Sequence, residues 1–301
     1  MVTNGYCFGR LDAGRYRGRS RARQWDPAAG GDRGPRPLWR PVIDDLAERY
    51  RVIAPDLRGL GGSTRAADGY DAENQAADIA GLLDALDIPS AAVVAIDASV
   101  APAFLFALHH PDRVRRLVLM EAVLGALPGA EDFLAAGPPW WFGFHAVPGL
   151  ADTVLAGHES AYIDWFLDIG TLGRGVPRPI RDAFVAAYTG TEALRSAFGH
   201  YRAMSVTADQ IRRAGATARL TMPTLAVGAH PVGGALERQL RPIADDLTGH
   251  VLTDCGHIIP LDGTAPLLAL LKNFLAAPHR TTSFGAQTIS ATCPCRDRRI
   301  A

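Results

Sequence analysis

The chain has almost no lysine: of its 31 basic residues, only Lys272 is not arginine. We read that bias as codon usage rather than function. It has no excess charge of either sign, because 31 acidic residues balance the 31 basic ones. The chain as a whole therefore lacks the electrostatic footprint of a nucleic-acid or anionic-membrane binder. Cysteine is scarce, four in 301 residues. Cys7 and Cys255 are isolated, and Cys293 and Cys295 sit in a polar tail, so no disulfide framework is expected. With only His279 nearby, that C-x-C pair falls short of the four ligands tetrahedral zinc takes, and no metal is expected. Long apolar runs are missing too. The stretch 88–108 is broken by Asp97 and Pro102, and a carboxylate at bilayer depth is costly, which argues against a membrane span. No basic stretch followed by an apolar run opens the chain, so a cytoplasmic protein without a signal peptide is expected. There is no internal repeat.

What is present is ordinary globular text, 48% hydrophobic and 21% charged, at the length of one large α/β domain. A chain of this size buries roughly 75% of its unfolded surface, enough to dispense with disulfide or metal staples. Apolar spacing predicts a helix over 42–50, a buried strand over 51–55 and a turn-rich loop from Asp56 to Ser63. A helix follows over 74–86, a buried strand over 91–96, a helix over 100–109 with Pro102 in its first turn, and a strand over 116–120. That cadence means a mostly parallel, doubly wound sheet with helices on both faces. Residues 126–214 break the rhythm. They read as helical and aromatic-rich, either a packing insertion or a lid over the sheet's carboxyl edge, where open sheets bind ligands. Strands return over 224–227 and 250–253, and a closing helix covers 265–275. Residues 1–125 and 215–277 are thus the core. Two segments do not fit: 15–37, rich in Arg, Gly and Pro, and the polar tail 278–301, read as disordered. An RNA-binding arm in the first would need aromatic stacking platforms beyond Tyr16 and Trp25.

Three positions carry chemistry. Asp97 ends the apolar run Val93-Val94-Ala95-Ile96, with small residues two before and two after. That is the pattern of a sharp strand-to-helix elbow, which lifts the central side chain above the sheet edge. The elbow also puts the Ala98 N–H at a helix start, where it can stabilise negative charge. His257 lies on a Gly turn after the last strand. Glu121 directly follows the strand over 116–120 and can orient a histidine at the same edge.

From Leu38 to Ala277 the chain resembles the α/β-hydrolase superfamily, in its epoxide hydrolase and dehalogenase branch. The resemblance rests on Trp39-Arg40-Pro41-Val42, residues 51–63, the elbow at Asp97, residues 111–121 and Cys255-Gly256-His257, in the family's order, with a helical cap inserted after the sixth strand. It implies Asp97 as nucleophile and His257 as the catalytic histidine. The loop Gly228 to Gly234 has no acid before Glu237, so Glu121 is the candidate third member. It further implies cap tyrosines that protonate an epoxide's leaving oxygen, with Tyr201 and Tyr162 as candidates, and no cofactor. A carboxylate is ionised at pH 7 and can attack an sp³ carbon without a base; histidine-activated water then cleaves the ester. The expected partner is a small apolar electrophile, most simply an epoxide. A dehalogenase needs halide donors, and Ala98 stands where those enzymes carry Trp or Arg. Trp140, Trp141 and His145 are the cap residues that would compensate as substrate contacts. A serine hydrolase using Ser99 would require the elbow to shift by two residues.

The chain departs from the family in one place. Gly30-Gly31-Asp32-Arg33 stands where a His-Gly-x-Pro loop supplies the second oxyanion donor, and the strand before it is replaced by Arg-alternating text. Val2 to Gly5 and Asp12 to Gly14 still resemble the family's opening hairpin. A shifted reading frame in a GC-rich gene would produce such text, a hypothesis that resequencing gene and transcript tests. Losing one oxyanion donor costs about 2.7–4 kcal/mol in the transition state, and a missing interior strand would leave its neighbours without partners. A catalytically impaired α/β-hydrolase-fold protein is therefore the alternative expectation.

Overall fold

The structure, a computed structural model, describes residues 7–10, 38–125 and 127–277. The segment 15–37, with its Gly30-Gly31-Asp32-Arg33, the hairpin residues and the tail holding His279, Cys293 and Cys295 lie outside the described residues.

Six strands are described: β1 (Cys7–Arg10), β2 (Arg51–Ile53), β3 (Ala91–Ile96), β4 (Val114–Met120), β5 (Thr224–Gly228) and β6 (Leu247–Val251). They form one sheet in the order β2-β1-β3-β4-β5-β6. From β3 to β6 every pairing is parallel. The continuous apolar text of β3 has its cause here: all six of its residues are buried, as a strand covered on both faces requires. The helix Val100–His109 behind it is likewise apolar nearly all round, and only its ends reach the surface.

The expectation of an unpartnered gap in the sheet is corrected. Strand β1 occupies the slot between β2 and β3, antiparallel to both, with Phe8 opposite Ile53 on one side and Val93 on the other. The backbone groups that an absent strand would have orphaned are thus paired.

Other elements shift by a few residues. The first helix after residue 38 is Arg40–Leu46, shorter than the 42–50 predicted. The last strand runs Leu247–Val251 rather than 250–253. It is an edge strand with little buried side-chain surface, so no apolar pattern marks it. Its place comes from pairing, Thr224 opposite Leu247 through to Gly228 opposite Val251.

Between β4 and β5 the chain forms a run of helices from Glu131–Leu134 to Met204–Thr217, the segment expected as a cap and called by that label below. The final helix passes residue 214 and ends at Thr217. That helix also ties the cap to the core. Thr207 Oγ1 and Gln210 Oε1 accept the Ala72 and Glu73 N–H groups, each at 3.1 Å. Gln210 Nε2 donates to Asp71 Oδ1 at 2.7 Å. The helix Ala72–Ala85 therefore has first-turn donors, which no helix can satisfy internally, answered by cap side chains.

Candidate active site

The parallel strands deliver their carboxyl ends to one edge of the sheet, beneath the cap. Strand β3 ends at Ile96, a tight turn covers Asp97–Ser99, and the helix Val100–His109 follows at once. Asp97 has φ of +52°, a left-handed conformation that costs a non-glycine residue of order 1–3 kcal/mol. The buried Ser99 hydroxyl holds the turn closed: it donates to the Ile96 carbonyl at 2.7 Å and accepts the Ile96 N–H at 2.9 Å. This hydroxyl is consumed by the elbow's own backbone, which removes Ser99 as a nucleophile. The Ala98 N–H belongs to the first turn, where amides have no intrahelical acceptor.

Glu121 follows β4 directly, with φ of +45°, and is wholly buried. Its carboxylate accepts the Ala229 N–H at 2.5 Å and the Val232 N–H at 3.0 Å. The loop after β5, which carries no acid of its own, thus supplies the amides that hold the acid from β4. His257 comes from the loop after β6. Its Nε2 lies 3.3 Å from Asp97 Oδ2 and its Nδ1 3.6 Å from Glu121 Oε1. Burial alone disfavours the imidazolium, but the charge of Asp97, with help from Glu121, outweighs it and raises the His257 pKa to about 10. Residues 97, 121 and 257 are brought together.

Within the cap lies a narrow cleft lined by His145, Tyr162, Phe166, Tyr188, His200 and Tyr201 and by none of the three residues just described; it has room for about one water molecule. Burial, reinforced by the negative charge of Asp97, holds the Tyr201 phenol well above its ordinary pKa, so it keeps its proton. The Tyr162 hydroxyl lies 2.7 Å from His145 Nε2. Burial pulls the His145 pKa down to about 3, which keeps that ring neutral. His145 also stacks on Phe198, centroids 4.0 Å apart.

The other two cap candidates are not brought to the cleft. Trp140 is 56% exposed and packs against Trp165 on the outer face. Trp141 lies edge-on to Phe166, behind the cleft wall. His200 also lines the cleft, a residue to which the sequence analysis assigns no role. Burial lowers its pKa to about 4, against the pull of Asp97. A larger cavity, lined by Pro55, Asp56, Arg58, Gln75 and Asp78 among others, contains none of the three central residues. Among the described residues no group of three or more His, Cys, Asp or Glu side chains is arranged to hold a metal, and no helix is long and apolar enough to cross a membrane.

A carboxylate on a strained elbow, an imidazole against it and a buried acid behind meet at one edge of a parallel sheet, an arrangement whose chemistry can support nucleophilic hydrolysis. Comparison with known proteins agrees. The family model described as alpha/beta hydrolase fold matches residues 30–150. The soluble epoxide hydrolase of Corynebacterium sp. (strain C12) is 30% identical over 230 residues, 74% of this chain and 79% of that protein. The crystal structure of Cfl2 from Burkholderia cenocepacia superposes with a TM-score of 0.70 at 32% identity, over 81% of this chain and 85% of that one. The epoxide hydrolase CorEH gives 0.71 at 25% identity, over 82% and 89%. The chain belongs to the α/β-hydrolase family, in its epoxide hydrolase-like branch, and is a hydrolase.

Proposed function

We propose that the protein opens epoxides of small apolar molecules through an ester on Asp97. A carboxylate oxygen of Asp97 attacks a ring carbon. The C–O bond of the epoxide breaks with its electron pair going to oxygen, and the Tyr201 hydroxyl protonates that oxygen. The product is a hydroxyalkyl ester, and Asp97 has lost its charge. That loss removes the largest influence holding His257 protonated, so the imidazole releases its proton to solvent, regaining one when Asp97 is a carboxylate again, and becomes a base only once there is an ester to cleave. His257 then takes a proton from water, hydroxide adds to the ester carbonyl, and the Ala98 N–H faces the resulting oxyanion. Collapse expels the diol with the proton from His257. The proton released as Asp97 returns to carboxylate restores Tyr201, so one water is added per epoxide. Glu121, fixed by two backbone amides, orients the imidazole.

The observation that carries this reading is His257 lying 3.3 Å from Asp97 and 3.6 Å from Glu121, with the Tyr201 phenol near enough to feel the charge of Asp97 and held in its protonated form. The relatives named epoxide hydrolases support the substrate class. Tyr162 serves as support for His145 rather than as the main donor, because its hydroxyl is already engaged there. Halide cleavage is less well served, since Ala98 offers no side-chain donor and Trp140 faces outward. The test is mass spectrometry of protein quenched in acid after exposure to styrene oxide. An added mass confined to the peptide of Asp97, and lost in Asp97→Ala, supports the reading; labelling that survives Asp97→Ala sinks it.

A second reading has one observation in its favour: Gly30-Gly31-Asp32-Arg33 stands in place of the second oxyanion donor. An impaired enzyme would form the Asp97 ester and hydrolyse it slowly, because the oxyanion arises in the second step. Folded protein that forms neither ester nor diol would mark a non-catalytic member.

A further inference from the structure

The loop that carries His257 is seated on the cap, and the contact is built at backbone range. The cap helix Glu159–Gly170 lines the cleft with Tyr162 and Phe166, while its last residue touches the histidine loop. The Ile258 N–H donates to the Gly170 carbonyl at 2.9 Å. Two glycines, Gly170 and the neighbouring Gly256, let the chains approach so closely. A Cβ on Gly256 would lie 2.4 Å from the Gly170 oxygen, and one on Gly170 would lie 2.7 Å from the Ile258 side chain. Four residues further on, cap Arg174 donates from Nε to Asp262 Oδ1 at 2.7 Å and from Nη2 to Oδ2. Asp262, with a side chain only 3% exposed, in turn accepts the Gly256 N–H at 2.5 Å. The residues on either side of His257 are thus both held, one by a cap carbonyl and the other by a carboxylate that a cap arginine clamps. A single rigid helix joins the cleft wall to this seat.

We infer that Arg174 and Asp262 are positioning residues for His257, and that the cap sets the alignment of the base for ester hydrolysis rather than for ester formation. The inference rests on the Asp97-ester reading above. Its reason is geometric. Asp97 attacks from its own elbow, which neither residue touches, whereas the base must hold water within hydrogen-bond reach of the ester carbonyl. A displacement of about 1 Å at such a group can cost up to 10²-fold. Charge alone does not replace the arginine, because Lys cannot offer two parallel donors to one carboxylate.

The experiment is rapid acid quench after mixing with styrene oxide, with the Asp97 ester quantified by mass, on wild type, Asp262→Asn, Arg174→Lys and His257→Gln. Arg174 is half-exposed, so Arg174→Lys tests the inference even if Asp262→Asn folds poorly. The expected result is ester formation at the wild-type rate with ester loss slowed roughly 10-fold. kcat and KM then fall together and kcat/KM stays constant. Equal slowing of formation and loss, or no change in either, overturns the inference. His257→Gln separates the two levels. If it accumulates ester while the Arg174 and Asp262 variants behave as wild type, the base reading stands and the positioning role falls. If it accumulates none, the ester reading fails and takes this inference with it.

Discussion

Replacing Asp97 by Asn keeps the side chain's size and removes its charge, as ester formation does in the proposed cycle. The effect on His257 can be worked from one distance. Two unit charges 3.3 Å apart interact by about 332/(20 × 3.3), or ~5 kcal/mol, at an effective dielectric of ~20. At 1.36 kcal/mol per pH unit that is at most about 3.7 units. An opposing charge this close moves measured pKa values by about 1–3 units, and Glu121 stays in place. The His257 pKa, about 10 in the wild type, is therefore expected to fall by roughly 2–3 units in Asp97→Asn, into the range where an imidazole works as a base at neutral pH. The assay is an NMR titration of the imidazole Cε1–H in protein labelled at histidine, with the resonance assigned by its absence in His257→Gln. A midpoint that moves by less than about half a unit would refute the idea that Asp97 holds His257 protonated. An upward movement would invert the proposed order of events.

The remaining predictions concern single groups. Tyr201→Phe should slow Asp97 ester formation by about 10²-fold or more and leave ester loss unchanged, while Tyr162→Phe slows formation less; acid-quench mass measurements separate the two, and equal effects would remove Tyr201's special role. Ser99→Ala should cost about 1 kcal/mol in denaturant unfolding, since it deletes two local hydrogen bonds, yet retain ester formation; abolished labelling would return Ser99 to the chemistry. Stability should depend on pH through His257. Its folded pKa of about 10 lies above the ordinary 6.5, so its contribution is complete below pH 6.5 and is lost as pH rises toward 10. Unfolding titrations across that window should show stability falling with pH by at most about 1.4 kcal/mol per unit, and His257→Gln should flatten the slope. An identical slope in that variant would place the titration elsewhere.

Much of the core was readable because burial on both faces leaves an unmixed apolar run. Strand β3 and the helix Val100–His109 appear in the structure at their predicted limits. Strand β6 was misplaced because an edge strand needs no such run, and β1 was missed because pairing, not pattern, puts four residues into the middle of the sheet. In the site, Asp97, Glu121 and His257 were legible as residue types at strand ends. What holds them was not. The loop after β5 gave a negative signal, no acid, while its contribution is two backbone N–H groups that any sequence would possess. Trp140 illustrates the reverse error: aromatic text in a cap says that surface is being covered, not which face of the helix meets the cleft.

The backbone adds a distinction that residue types cannot. Among the described residues, four that are not glycine have positive φ: Asp87, Asp97, Glu121 and Leu172. Asp87 and Leu172 are exposed, at the ends of helices, where a residue can leave the helix through the left-handed region. Asp97 and Glu121 instead follow buried parallel strands, and glycine would satisfy both turns without strain. Glycine would also delete the two carboxylates. The turn at Asp97 sends its side chain up toward His257, and the turn at Glu121 sends its own across to the amides of the next loop. Each conformation is disfavoured on its own, by of order 1–3 kcal/mol, and each is held by contacts that do not themselves react: the Ser99 hydroxyl for one, the Ala229 and Val232 amides for the other. Strain at a carboxylate directly after a buried strand, fixed by neighbours with no chemistry of their own, is what sets these two acids apart from the other acids among the described residues.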